Sequence, residues 1–148
     1  MTKNIIILLI FIVTNLLEVA LLKPFFFNFL FLNIALIVVL ATNKNFYTQS
    51  LFLAFLYGIL LNILFASNIF VLPLIFVIGV FILNNISLWF GAKLTHKLIY
   101  VVVCIIALRF FMGQAEMSAI LSWDILFIII YTIILNNILL LIKNYVDF

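Results

Sequence analysis

The sequence predicts an all-α polytopic membrane protein, with about six transmembrane helices packed as one bundle. Three observations carry that expectation. Hydrophobic residues make up 70% of the 148 residues and charged residues 7%, with a mean hydropathy of +1.55. Soluble domains run roughly 45–50% apolar and about 25% charged. Seven basic and four acidic side chains cannot cover a globule of 17.1 kDa, and apolar surface left bare in water aggregates. Second, the apolar residues fall in continuous runs close to the ~20 residues that a helix needs to cross a bilayer. Third, those runs do not alternate polar with apolar over ~10 residues, as the strands of a membrane barrel would. Lipid offers no partner for backbone N–H and C=O groups, so continuous apolar runs become helices.

The first run covers residues 5–22 and follows Lys3. A signal peptide also begins with a charge and an apolar stretch. Here Leu21, Leu22, Lys23 and Pro24 offer no small-residue cleavage site, so the run is expected to stay as an anchor. Pro24 suits a turn or the first turn of the next helix. The second run, 25–41, ends at the polar Thr42, Asn43, Lys44 and Asn45. The third, 51–66, closes at Ser67 and Asn68. The fourth, 69–90, carries Pro73 in its first turns and Gly79 midway. Because the Ser67–Asn68 turn is short, runs three and four are either two full crossings or a re-entrant pair. The hydrophilic residues 91–97 precede the fifth run, 98–112, and residues 113–122 lead to the sixth, 123–142. Residues 1–148 read as a single integral membrane domain.

Loop charges set the orientation. With six spans and an inner N-terminus, Lys3, Lys44, Lys93, Lys97 and Lys143 fall on the cytoplasmic side, and Lys23 and Arg109 outside. Both termini are therefore expected in the cytoplasm. Tyr47, Trp89, Tyr100 and Tyr145 then mark the inner interface and Trp123 the outer one. The net charge of +3 and pI of about 9.2 form no basic stripe, so no nucleic-acid partner is expected. The bilayer is the partner that the composition demands. Cys104 is the one cysteine, which leaves no intrachain disulfide.

Charges within a span cost ~2.5–3.5 kcal/mol at its centre unless they snorkel or pair. Glu18 and Arg109 both lie near the outer ends of their runs, ~5–6 Å inside the boundary at 1.5 Å per residue. Each either snorkels alone or joins the other in an intramembrane ion pair tying run one to run five. Asn15, Asn28 and Asn62 form an outer layer of amides, and Asn84, Asn85, Asn136 and Asn137 an inner one. Amides in such places hydrogen-bond between helices, each worth about 0.6 kcal/mol. Along run three, Ala54, Gly58, Asn62 and Ala66 recur every fourth residue. Small residues at that interval make a shallow groove for a second backbone, either a helix of the same chain or a partner's.

Catalysis needs converging nucleophiles, acids, bases or ligands. The acids are Glu18, Glu116, Asp124 and Asp147, with the single histidine His96. They make no His-Glu-x-x-His zinc pair, and the four glycines are too dispersed for a phosphate loop. No catalytic, cofactor or metal set is expected, and the chain is not read as an enzyme. An inverted-repeat transporter would show paired Gly/Pro interruptions in two halves, which the sequence lacks.

The order of features resembles the rod-shape-determining membrane protein MreD family of bacteria, small proteins of nearly all-membrane sequence. The resemblance rests on Pro24, Phe25 and Phe26 opening the second run. It rests also on Gly58 and Asn62 in run three, followed by Ala66, Ser67, Asn68 and Ile69. Asn62 stands where the family carries an acid, and Phe25 where an acid commonly follows the proline. The resemblance implies a fold similar to the six-helix substrate-binding subunits of energy-coupling-factor transporters. It also implies a scaffold role in the bacterial inner membrane, beside an MreC-like bitopic protein and the peptidoglycan-synthesis proteins of the elongation complex. Since one fold can serve two functions, a small-molecule-binding subunit of an energy-coupling-factor-type transporter is the alternative expectation.

Overall fold

A computed structural model describes residues 2–18, 32–65, 71–111 and 123–145. Six α-helices account for nearly all of them: α1 (Thr2–Leu16), α2 (Leu32–Ala41), α3 (Tyr47–Phe65), α4 (Val71–Phe90), α5 (Leu94–Phe111) and α6 (Trp123–Tyr145). A single 3₁₀ turn, Lys44–Phe46, leads into α3. No strand occurs among the described residues. Three stretches, Lys44–Ile63, Val71–Phe90 and Ile125–Asn144, are long and apolar enough to cross a membrane. The described parts of α1 and α2 are shorter apolar helices.

The core is apolar, and so is much of the surface, which a soluble bundle would cover with charge. Leu74, Ile78, Phe81 and Ile82 of α4 point outward, as do Ile130, Ile134 and Leu141 of α6. Thr14, Asn33, Ser50, Asn62, Arg109, Thr132 and Asn136 are buried. Apolar surface outside and polar groups inside is the economy of a protein dissolved in lipid, where van der Waals packing and interhelical hydrogen bonds hold helices together. Buried hydroxyls are satisfied within their own helices: Thr42 Oγ1 donates to Val38 O at 3.0 Å and Thr132 Oγ1 to Ile128 O at 2.7 Å.

At the centre stands α2. All ten of its residues are buried, and it touches each of the other five helices. Its sequence explains why, since Asn33 is the only polar residue in LNIALIVVLA, and a helix apolar all round is at home when enclosed. Its neighbours have readable directions. Asn15 of α1 meets Asn33 of α2, and Lys3 meets Asn45 just beyond α2, so α1 and α2 are antiparallel. Contacts of Asn4 with Gln49 and of Glu18 with Tyr57 make α1 and α3 parallel.

The helix ends follow local chemistry. Asn43 caps the 3₁₀ turn by accepting from Asn45 N–H at 3.2 Å. This start lets α3 begin at Tyr47, four residues before the apolar run that hydropathy marks. Ser50 Oγ bonds back to Tyr47 O at 2.6 Å. Likewise α5 begins at Leu94, so Thr95, His96 and Lys97 form its first turn rather than a loop. Between α4 and α5, Gly91 adopts φ +92° and its N–H reaches Ser87 O at 2.9 Å, the left-handed termination that glycine permits.

Among the described residues, the most extensive helix–helix packing joins α3 to α4. A Cβ built on Gly58 would lie 2.5 Å from Pro73 Cα and 2.7 Å from Pro73 N. Pro73 is the third residue of α4, where its missing N–H would have had no intrahelical partner. Beside this contact the Tyr57 and Phe76 rings meet edge-on, with centroids 5.5 Å apart and planes at 75°.

Candidate functional site: a buried carboxylate cluster

Residues 14, 15 and 18 share one face of α1, since positions three and four apart are neighbours on a helix. They are polar exceptions beyond the first turn, Thr2–Asn4, of an otherwise apolar helix. The last described turn of α1 widens to π geometry at Leu17 and Glu18, a local insertion that recurs at functional sites. It delivers the Glu18 carboxylate to the first described turn of α2. There Oε2 accepts from Asn33 Nδ2 at 3.0 Å and from the Asn33 backbone N–H at 3.3 Å. Oε1 accepts from Tyr57 Oη of α3 at 2.7 Å. Three donors from two helices therefore converge on one carboxylate.

The network continues along α1. Asn33 Nδ2 also donates to Asn15 Oδ1 at 2.8 Å, and Asn15 Nδ2 donates to Phe11 O at 2.9 Å. Thr14 Oγ1 donates to Ile10 O at 2.7 Å. With its one proton used there, Thr14 accepts from Tyr131 Oη of α6 at 2.6 Å. One turn of α1 is thus tied to α2, α3 and α6. The Asn33 Oδ1 atom is buried and makes no hydrogen bond in the structure.

Arg109 of α5 is 0% exposed. A fully buried guanidinium calls for a compensating charge nearby.

Of the four groove positions, Ala54 and Asn62 are buried at 0% and 4% exposure. Gly58 faces the α4 backbone at Pro73. Ala66 lies outside the described residues, as do Lys23, Asn28, Glu116 and Asp147. The two amide layers do not behave alike. Asn15 enters the carboxylate cluster, Asn136 accepts from Lys97 Nζ at 2.8 Å, and Asn85 and Asn137 are exposed. The hydropathy profile singles out Glu18 but not Asn33, Tyr57, Thr14 or Tyr131. The pattern Thr14, Asn15, Glu18 on one helical face is the signal that points to such a cluster.

Elsewhere α4 and α5 diverge over α2, leaving an apolar cleft of about 270 Å³. Val38 of α2 forms part of its floor, with Gly79 and Leu83 on one wall and Cys104 and Ala107 on the other. Comparisons of the chain with protein-family models, with curated proteins and with solved structures find no match.

Proposed function

We propose that the chain is a non-catalytic membrane scaffold of the bacterial cell-elongation complex. In this reading it crosses the cytoplasmic membrane six times with both termini inside. It acts through helix–helix contacts with an MreC-like bitopic partner and the peptidoglycan-synthesis proteins linked to it. The observation that carries the reading is the family-like Gly58 position, packed against the α4 backbone in a bundle that exposes many large apolar side chains. Within the carboxylate cluster, bonds from Asn33 to Asn15 and Glu18 and from Tyr57 to Glu18 join α1, α2 and α3, as a framework requires. The helix directions fit the orientation, since Lys3 lies at Phe46 and Asn45, beside Lys44. Within this framework, Arg109 supplies the counter-charge for Glu18 and ties α5 to α1.

Affinity purification from native membranes in mild detergent, followed by mass spectrometry, tests the proposal. The expected result is recovery of an MreC-like bitopic protein with elongation-complex components. Recovery of ATPases and a membrane coupling subunit instead would refute it and favour a transporter subunit.

A further inference from the structure

At the end of the bundle where α1 and α3 both start, the two helices stand apart and leave a cleft of about 350 Å³. Its lining is graded. Asn4, Thr48 and Gln49 form the outer rim, and Gln49 Nε2 bonds to Asn4 Oδ1 at 2.9 Å. One turn further along each helix the lining becomes Ile7 and Leu8 on α1, and Phe52 and Leu53 on α3. Leu8 and Phe52 are exposed, at 42% and 58%, while Ile7 and Leu53 are buried beneath them. Because α1 and α3 are parallel, their polar first turns coincide and so do their apolar second turns. The cleft therefore passes from polar to apolar in the direction of the helix axes.

Two lysines stand beside the lining rather than in it. Lys3 precedes Asn4, with its Nζ bonded to Asn45 O and held over the Phe46 ring at 4.5 Å, and the exposed Lys44 stands four residues before Thr48. Neither α1 nor α3 contains an Asp or Glu within its range Thr2–Leu16 or Tyr47–Phe65. From this juxtaposition we infer that the α1–α3 cleft is a binding site for one anionic phospholipid. Its phosphate is met by Lys3, Lys44 and the amide and hydroxyl rim, and the start of one acyl chain lies along Leu8 and Phe52. The inference rests on the membrane reading alone and stands whether or not the scaffold role holds.

A cavity of about 150 Å³ holds a benzene ring, so on that scale 350 Å³ holds about a dozen heavy atoms, a phosphoglycerol and the first methylenes of a chain. Charge separates anionic from zwitterionic lipid, because a choline group would meet two lysines and no carboxylate. Each lysine near a headgroup favours the anion by about five-fold.

The test uses the full chain reconstituted in vesicles of equimolar phosphatidylglycerol and phosphatidylcholine, then released gently and weighed by native mass spectrometry. Wild type is expected to retain one phosphatidylglycerol in preference to phosphatidylcholine. Lys44→Glu, at an exposed position, is expected to lower that preference at least five-fold. Thr48→Trp, which fills the rim, is expected to remove the retained lipid, while Thr95→Trp at an exposed site on α5 leaves it in place. Helical circular dichroism checks that each variant is folded, and the lysine variant keeps the test valid if the tryptophan one is not. Equal retention of the two lipids by wild type would overturn the inference, as would an unchanged preference in Lys44→Glu. A dimer mass that Thr48→Trp converts to monomer, with lipid retention unaffected, would also overturn it and assign the cleft to a second copy of the chain.

Discussion

Substituting Gly58 by alanine introduces one methyl group where α3 lies directly against the α4 backbone. Its carbon would lie 2.5 Å from Pro73 Cα, 2.7 Å from Pro73 N and 3.1 Å from Leu72 C. All three are backbone atoms of α4, so no side-chain rotation relieves the overlap. Carbon atoms rest at ~3.5–4.0 Å, so the helices must part by about 1 Å, and a gap of that size forfeits a quarter to a half of each displaced dispersion contact. Overpacking of this kind costs about 1–3 kcal/mol. At about 2–4 °C per kcal/mol for a chain of this size, the unfolding midpoint is expected to fall by about 2–12 °C. The one cysteine makes the assay direct, because Cys104 is partly buried and a thiol-reactive dye reports its exposure on heating in detergent. Gly79 on α4 is the matched control. A Cβ there meets nothing within 4 Å, and alanine in place of a helical glycine gains up to about 1 kcal/mol. Gly79→Ala is therefore expected to melt at or slightly above the wild-type temperature. If Gly58→Ala melts with wild type, or Gly79→Ala falls as far as Gly58→Ala, the close-packing argument is wrong.

Other outcomes follow from the same contacts. Tyr57→Phe keeps the ring on Phe76 but removes a 2.7 Å bond to Glu18, and is expected to cost about 1.5–3 kcal/mol, the range for a hydrogen bond to a charged group, read from the same melting curve. Glu18→Arg and Arg109→Glu are each expected to lower membrane levels, since each leaves like charges buried. The double swap should restore levels on an immunoblot, and failure of that rescue would remove Arg109 as the counter-charge. In a Cys104→Ala background, Asn45→Cys and Thr95→Cys, both at exposed positions, are expected to react with a membrane-impermeant maleimide only from the cytoplasmic side. Labelling of the two from opposite sides would disprove the six-span orientation.

Helical class was legible because lipid imposes it: a run such as 71–90 can satisfy its backbone in no other way within a membrane. The centre of the bundle was not. LNIALIVVLA in α2 is apolar all round, which in water would mean burial, but in a bilayer an enclosed helix and a lipid-facing one have the same hydropathy. The helices start at Tyr47 and Leu94, ahead of the apolar runs, because hydropathy marks the apolar core of a span, whereas the helix itself continues through Thr48, Gln49 and Ser50, or Thr95, His96 and Lys97, at the polar edge. Gly58 was visible as a small residue in a four-residue repeat. Its partner Pro73 was not, because the spacing names a groove and leaves open what fills it. Glu18 stood out by charge alone, yet its donors Asn33 and Tyr57 lie 15 and 39 residues away, a distance no local pattern spans.

The carboxylate cluster and the Gly58 contact are neighbours in the chain, and that adjacency has an energetic consequence. Tyr57 Oη holds Glu18 on one side of α3, while Gly58 rests on Pro73. The Tyr57 ring leans on Phe76 of the same α4. Parting α3 from α4 by about 1 Å must move the Tyr57 backbone, and a hydrogen bond of 2.7 Å stretched by that much falls outside the bonding range. Gly58→Ala is therefore expected to weaken the Tyr57–Glu18 bond as well as the interface. Once it is weakened, Tyr57→Phe has less to remove. In a double-mutant cycle the two substitutions are expected to fall short of additivity by about 0.5–3 kcal/mol, the range for residues sharing one network. Gly79→Ala with Tyr57→Phe should add within about 0.5 kcal/mol, because Gly79 touches neither contact. Additive losses in the first pair would mean that α4 yields while α3 stays in place, leaving the carboxylate cluster as a framework independent of the α3–α4 interface.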